Sequence, residues 1–553
     1  MEKIWLKNYQ PGVPADLPTS HYSSLIDLFD DSFRKYADLP AFTNLGHTIT
    51  YRELDRLSRN FAAYLQNKLK VKKGDRIAIM LPNLLQYPIA MLGIMRAGAA
   101  VVNVNPLYTH TEMLHQLADC QAKIIVIIEN DAHILEQEIN GTNIEHVITT
   151  QIGDMCSFPK SLLINLAVKY IKKMVPKFSF SNSTSFNKAL SSGAKLDFKN
   201  IHVTGDDIAF LQYTGGTTGV AKGAILAHKN MLANVMQASV WLKPNLTAGT
   251  ELIITALPLY HIFSLMANCL TFMNYGALNV LITDPRDMNG FIKILKKFKF
   301  TAITGVNTLF NGLLNNPKIT EVDFSQLKIA LGGGMPVQNI VADKWHKITG
   351  KPLLEAYGMT ETCPAICINP INLPKYNGTI GLPVPSTIIS VRDDDGQEVA
   401  LGEAGELWVK GPQVMQGYWN KPQETQNVMS DGWFKTGDIA TIAADGFVKI
   451  VDRKKDMILI SGFKVFPNEV EEVLYHLPGI LEAAVIGIKK DGFNEEVQAF
   501  IVKSDPALTK EHIIAYCHDH LTNYKIPKHI EFRDKLPKSN VGKILRRELR
   551  PKE

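Results

Sequence analysis

RIAIMLP, residues 76 to 82, is a short apolar run that follows the polar turn KKGD. Behind it come LLQYPIAMLGIMRAGA at 84 to 99, apolar over most of its length, then AVVNVNP at 100 to 106 and AKIIVIIEN at 122 to 130. Short apolar runs bounded by turn residues fit strands buried on both faces, and the longer stretch between them is a buried helix. That alternation is βαβ: a parallel sheet covered by helices. The same order returns from 252 to 334, where LIITALP, ALNVLITDP, FTAITGV and LKIALGGG read as strands between helical stretches. Upstream, Thr50 and Glu53 in TYRELDRLSRNFAAYLQNK make a capping-box pattern at the head of a helix.

Between about 375 and 450 the texture changes to short strands and Gly/Asp turns (SVRDDDGQEV, GELWVKGP, ADGFVKIVD), which reads as a β-rich subdomain or barrel. It changes again after DRKKD at 452 to 456, a dense polar run between two apolar strands. The expected fold class is α/β: a large N-terminal domain (1–451) of two parallel-sheet α/β layers plus the β-rich subdomain, a hinge at 452–456, and a small mobile α+β C-terminal domain (457–553).

At 553 residues and 46% hydrophobic the chain can bury several cores. A formal charge of +5 is small for that length, so no nucleic-acid partner is expected. Six scattered cysteines, of which Cys363 and Cys367 have no second ligand pair nearby, give neither a disulfide framework nor a zinc pattern. The opening MEKIWLKNYQPGVPADLP has no apolar core of signal-peptide length, and no run approaches a membrane span. The expected location is cytoplasmic, with peripheral attachment to the inner face of the membrane left open.

The densest local pattern is LQYTGGTTGVAKGA at 211 to 224. Strand-like IAFLQY leads in and a helical AHKNMLANVMQASV follows, the setting of a turn whose backbone N–H groups and hydroxyls hold an anion. It is not a Walker A loop, because Val220 and Ala221 separate Gly219 from Lys222 and no Ser or Thr follows the lysine. Taken alone, such a segment is as readily a surface turn.

YTGGTTGVAKG is similar to the phosphate loop of the adenylate-forming superfamily of acyl-CoA ligases, luciferase-type enzymes and adenylation domains. Further matches follow in order: LPLYHIFS at 257 to 264, GGGMP at 332 to 336, EAYGMTET at 355 to 362, WFKTGDIA at 433 to 440, IVDRKKDMILISGFKVFPNEVEE at 450 to 472 and LPKSNVGKILRREL at 536 to 549. The resemblance spans the chain and is closest to bacterial long-chain fatty-acid–CoA ligases.

It implies activation of a carboxylate by ATP, Mg²⁺-assisted, to an acyl adenylate, then displacement of AMP by the thiol of CoA. Two anions must meet, so cations and fixed donors are needed. By resemblance, Tyr213, Thr214, Gly215, Gly216, Thr217, Thr218, Gly219 and Lys222 grip the phosphates, and Glu361 with Thr214 holds Mg²⁺. Gly332, Gly333, Gly334, Tyr357, Gly358 and Thr360 frame the adenosine, Asp438 takes the ribose hydroxyls and Arg453 assists it. Lys543 reaches carboxylate and α-phosphate, Lys455 is the pivot of the mobile domain, and Gly462 lies in the pantetheine channel. His261 is an aromatic gate between acyl and thiol sites. On composition alone, a lysine in the basic tail KILRRELRPKE is a solvated residue.

Where amino-acid-activating relatives place an Asp for the substrate ammonium, this chain has Tyr260 and His261, which favours a plain carboxylic acid. A medium-chain or aryl acid, transfer to a carrier-protein thiol, and a non-catalytic binding homologue remain alternatives. A homodimer also stays open. Residues 162 to 178, LLINLAVKYIKKMVPKF, interleave apolar residues with Lys169, Lys172, Lys173 and Lys177, a pattern suited either to an anionic membrane surface or to a helix docked on its own core.

Overall fold

The structure, a computed structural model of the chain, describes residues 2–214, 221–460, 463–491, 494–539 and 542–551. The two βα series form two sheets. In the first, seven strands lie in the order Ser183–Ser185, His146–Thr150, Ile124–Ile128, Arg76–Met80, Ala100–Asn103, Ile208–Thr214 and Lys222–Ala227, parallel except for the last. Successive side chains leave opposite faces of a strand. Ile77 and Ile79 therefore enter a core shared with the second sheet, while Ala78 and Met80 pack outward with Met113 and Leu117. Burial on both faces is why these strands show no polar alternation.

The second sheet has nine strands. Ala302–Gly305, Ile329–Gly332 and Leu353–Gly358 run parallel at its middle, and Ala365–Ile368 and Leu382–Pro383 continue it antiparallel. Ile253 and Ile329 face the shared core; Ile254 and Ala330 face an outer one. Helix Gln86–Arg96 is buried throughout in the shared core, and its single charge, Arg96, is met by Asp30 at 2.7 Å and Asp55 at 2.6 Å. A guanidinium removed from water needs such partners.

The β-rich part is an open five-stranded antiparallel sheet that includes Gly405–Lys410, Trp433–Ile442 and Val448–Arg453. Beyond it, strands Ile480–Asp491, Asn494–Lys503 and His529–Phe532 pack against helices Pro467–His476 and Lys510–His520 around Val470, Leu474, Val485, Ile501 and Ile513. This is the small α+β unit.

Three local expectations change. The polar run 452–456 is narrower as a linker, because Asp452 and Arg453 finish strand Val448–Arg453 and pair with Ile439 and Asp438. Only 454–456 form a turn. Segment 162–178 is helical only in its first part: Lys160–Leu166 continues as a π-helix, Ala167–Ile171, and ends near Lys173, whose φ is 52°. Third, the basic tail is not all solvated, since Arg546 is drawn into an acidic cluster. Among the described residues, no helix is long and apolar enough to cross a membrane.

Candidate active site

Loops at the carboxyl ends of parallel strands are where open α/β sheets bind ligands. Here both sheets present such ends to one cavity of about 1560 Å³, which also receives residues of the C-terminal unit. Thr214, the last residue of its strand, lies directly opposite Lys222 on the antiparallel strand Lys222–Ala227. Strands Ile208–Thr214 and Lys222–Ala227 thus pair antiparallel on either side of the Gly/Thr-rich stretch, and the helix starts only at His228. This corrects the strand-to-helix setting read from the sequence; AILA is too brief an apolar run to announce a returning strand. Gly215, Gly216, Thr217, Thr218 and Gly219 lie outside the described residues.

Lys222 pairs with Glu424 and sits 5.2 Å above the Tyr418 ring; the Tyr418 hydroxyl donates to Glu361 Oε1 at 2.7 Å. One aromatic ring therefore spaces the loop lysine from the carboxylate. Burial raises the Glu361 carboxyl, which is a response to desolvation without a close counter-cation. Tyr213 does not share this setting. Its hydroxyl donates to Asp119 at 2.5 Å beside the outer core, while the residue also lines the cavity next to Thr214. Changing Lys222 to Ala is expected to raise KM for ATP about 10- to 100-fold, the loss of one charge-assisted contact. An unchanged KM would remove Lys222 from the phosphate site.

Asp438 is buried, accepts the Tyr357 hydroxyl at 2.5 Å, and has Arg453 Nε at 3.5 Å across the ladder. The carboxylate is held from two sides. The phenol tether also fixes the Tyr357 ring that was expected to stack on adenine. Gly333 and Gly334 line the cavity, whereas Gly332 packs on Val337 and belongs to the core. At Gly358 a Cβ would stand 1.8 Å from the Pro364 carbonyl oxygen, so only glycine fits. Thr360 begins a short 3₁₀ turn, Thr360–Thr362, that carries Glu361.

His261 sits on a support of buried amides. Asn83 donates to the Thr255 and Leu257 carbonyls and accepts from Leu259 N–H, and Gln212 donates to the Tyr260 carbonyl at 2.8 Å. Gln212 in turn accepts from Asn103. These buried amides went unnoticed in the sequence because Asn and Gln in apolar strands carry no motif. Burial and the nearby Lys543 charge lower the His261 imidazole to about 4. With Nδ1 accepting from Phe263 N–H at 3.3 Å, the ring is neutral and the proton is assigned to Nε2.

Glu355, also missed, is buried at the carboxyl end of its sheet and raised to about 8 by burial, with Glu472 adding repulsion. The Tyr376 hydroxyl donates to Glu355 Oε2 at 2.9 Å and to the Val337 carbonyl at 2.6 Å. One hydroxyl proton then serves both acceptors.

Lys543 enters from the C-terminal unit. Its backbone N–H donates to Ser539 Oγ and the Ser539 N–H to its carbonyl, closing a tight turn. Gly542, at φ +82°, brings that turn against Thr308, which donates to the Gly542 carbonyl at 3.3 Å; a Cβ at 542 would lie 2.6 Å from the Thr308 hydroxyl. Asn339 reaches Glu472 at 2.6 Å beside it. Burial first, and Arg453 next, lower the Lys543 amine to about 7. Lys455, on the 454–456 turn, is lowered to about 8 by burial and the neighbouring Arg453.

These shifts have a sign. An undocked Lys543 has the ordinary pKa of about 10.5 and the docked one about 7. Docking therefore disfavours the protonated amine: the cost is full below pH 7 and disappears as pH rises toward 10.5. Without nucleotide, proteolytic nicking at Lys454–Asp456 should slow as pH rises from 6 to 9. Glu355 opposes this trend by ionising near 8 beside Glu472, so the measurement is the difference between wild type and Lys543→Met. No difference would refute the linkage.

Profile comparison matches residues 29–419 to the AMP-binding enzyme family and 469–543 to the AMP-binding enzyme C-terminal domain. The chain is 56% identical over 553 residues to a long-chain-fatty-acid–CoA ligase of Yersinia pestis, covering all of this chain and 98% of that protein. It is 52% identical over 555 residues to the enzyme of that name from Haemophilus influenzae, covering all of this chain and 99% of the other. Among solved structures, a benzoate CoA ligase from Burkholderia xenovorans LB400 superposes with a TM-score of 0.81 at 25% identity, over 96% of this chain and all of that one.

Proposed function

Because the chain belongs to the AMP-binding enzyme family, we infer that it is a long-chain fatty-acid–CoA ligase. It joins a fatty acid to ATP as acyl-AMP, releasing pyrophosphate, and passes the acyl group to the thiol of CoA, releasing AMP. The observation that carries this reading is one cavity with two kinds of wall: Lys543, Asp438 and Glu361 on one part, and the apolar Ala238, Leu242, Met266 and Phe272 on another.

In the first step a carboxylate oxygen bonds to the α-phosphorus as the bond to pyrophosphate breaks. Both reactants are anions, and the Lys543 ammonium placed between them offsets their repulsion; bound phosphate returns the proton that burial disfavours. Thr214 and Lys222 hold the triphosphate and Asp438, with Arg453 beside it, the ribose. Gly333, Gly334 and Tyr357 frame the base. Glu361 and Thr214 supply hard oxygen donors suited to Mg²⁺. No group of three His, Cys, Asp or Glu ligands occurs among the described residues, and Glu361 and Thr214 would hold the ion together with phosphate oxygens and water. Magnesium, when bound, neutralises charge on the phosphates.

In the second step the thiol sulfur attacks the acyl carbon, the bond to AMP breaks, and the thiol proton leaves. The sulfur needs the space Lys543 fills, so we assign the 454–456 turn, with Lys455, as the hinge on which the C-terminal domain moves away. Gly462 and the pantetheine channel lie outside the described residues. The neutral His261 stands between acyl wall and Lys543 and gates that exchange.

Pyrophosphate and AMP release should be measured with ATP, Mg²⁺ and acids from acetate to oleate, with and without CoA. Turnover should need CoA and peak at long chains. Ala238→Trp, which fills the apolar wall, should move the peak to shorter acids; pyrophosphate release without CoA-dependent turnover would overturn the reading. Where such a substrate is met is a question for a different surface.

A further inference from the structure

Of the twelve exposed large apolar side chains among the described residues, seven fall in one segment: Phe158, Leu162, Leu163, Leu166, Tyr170, Ile171 and Met174. Phe158 and Ile171 are each 81% exposed and Tyr170 65%. Single exposed apolar residues are ordinary, but a contiguous group of this kind marks a contact surface.

The segment's orientation is set by polar anchors on its other side. Asn165 accepts from Gly153 N–H at 2.7 Å and donates to Asp154 at 3.1 Å, Lys160 donates to the Leu45 carbonyl, and Asn130 donates to the Met174 carbonyl at 3.1 Å. With Asn165 turned to the body, Leu163, Leu166 and Tyr170 form one outward row at helical spacing, and Met174, past the helix end, is exposed too. The docked-on-its-own-core alternative is therefore wrong for this face.

Charge names the occupant. From 155 to 196 the sequence has no Asp or Glu, and Lys160, Lys169, Lys172, Lys173 and Lys177 flank the apolar row. Among the described residues no carboxylate pairs with Lys169, Lys172, Lys173 or Lys177. A protein partner would be expected to find some acidic counterpart on this face; apolar side chains ringed by unpaired lysines instead match acyl chains beneath anionic headgroups.

We propose that residues 158–177 are a membrane-docking element that seats the protein on an anionic bilayer, with Leu163, Leu166, Tyr170 and Ile171 at the headgroup–acyl boundary and the lysines against lipid phosphates. The proposal stands on this surface alone and does not depend on the reaction assigned to the cavity.

The test is co-sedimentation of the full-length protein with large vesicles of phosphatidylcholine containing 30% phosphatidylglycerol, against phosphatidylcholine alone, at low and high salt. Binding should require the anionic lipid and weaken with salt. Each lysine near an anionic surface is worth roughly a fivefold change in partition, so Lys169, Lys172, Lys173 and Lys177 all changed to Gln should weaken binding by at least ~100-fold. Leu163→Asn with Ile171→Asn should weaken it too, while CoA-dependent turnover of a water-soluble acid stays unchanged in both variants. Binding that ignores both sets of substitutions, or that is equal on neutral vesicles, overturns the proposal. So does light scattering that shows a dimer dissociated by the Asn pair, because a second copy would then cover the patch. Loss of soluble-acid turnover in wild type would instead count against the ligase reading and leave vesicle binding to be judged separately.

Discussion

Lys543→Ala should reduce acyl-adenylate formation by at least 10²–10³-fold, the cost of removing one preorganised charge from a water-poor site, equivalent to roughly 3–4 kcal/mol in the barrier. Thioester formation from supplied acyl adenylate should fall far less. The amine is the cation that Gly542 and Thr308 bring to the mouth of the cavity, beside Asp438 and near His261. It acts while two anions are forced together, and the second step has no such pair. Because Lys543 makes only backbone bonds to Ser539, its side chain can be removed without unfolding the turn. Equal loss of both half-reactions would mean that one docked arrangement serves both, and would refute the moving-domain mechanism.

Arg546→Ala should damage the protein differently. Arg546 donates to both carboxylate oxygens of Glu471, at 3.1 and 2.8 Å, to Asp452 at 3.2 Å and to Asn468 at 2.5 Å, all of them poorly exposed. Asp456 lies 3.7 Å away and is also held by Arg550. Removing the guanidinium leaves two buried carboxylates facing each other, a loss of about 3–5 kcal/mol for a broken buried pair. In a unit with so small a core this should cut hydrogen-exchange protection of the Ile480–Asp491 amides by about 10²–10³-fold. Burial already raises Asp452 and Glu471, and without Arg546 only backbone hydrogen bonds oppose it. The penalty therefore applies above their folded pKa values and shrinks as pH falls and the carboxyls protonate. Protection unchanged from wild type at pH 8 would show that the cluster carries no stability. Since Lys543 is three residues upstream, adenylate formation should fall with it.

The parallel-sheet architecture was legible because its strands are buried on both faces and so announce themselves as unbroken apolar runs, as in Ile124–Ile128 and Ile329–Gly332. The capping box at Thr50 was legible because Thr50 and Glu53 satisfy each other within one helical turn. The hairpin after Thr214 was not, because antiparallel return depends on hydrogen bonds to a neighbour, and the six residues KGAILA are too few to show a period. Asn83, Asn103 and Gln212 were invisible for a related reason: their partners are carbonyls and amides far away in the chain.

By itself the sequence determined the two βα series, the small terminal α+β unit, and which residue types the chemistry has at its disposal. Those follow from periodicity, turn residues and motif order, all of which are short-range. Only the tertiary structure decided which charges meet: that Tyr357 tethers Asp438, that Tyr213 bonds to Asp119, that a tail arginine is drawn into an acidic cluster rather than fully solvated, and that the apolar residues at 163–174 face outward. Electrostatic strength and solvent exposure depend on distance and burial in space, and a linear chain specifies neither until it has folded.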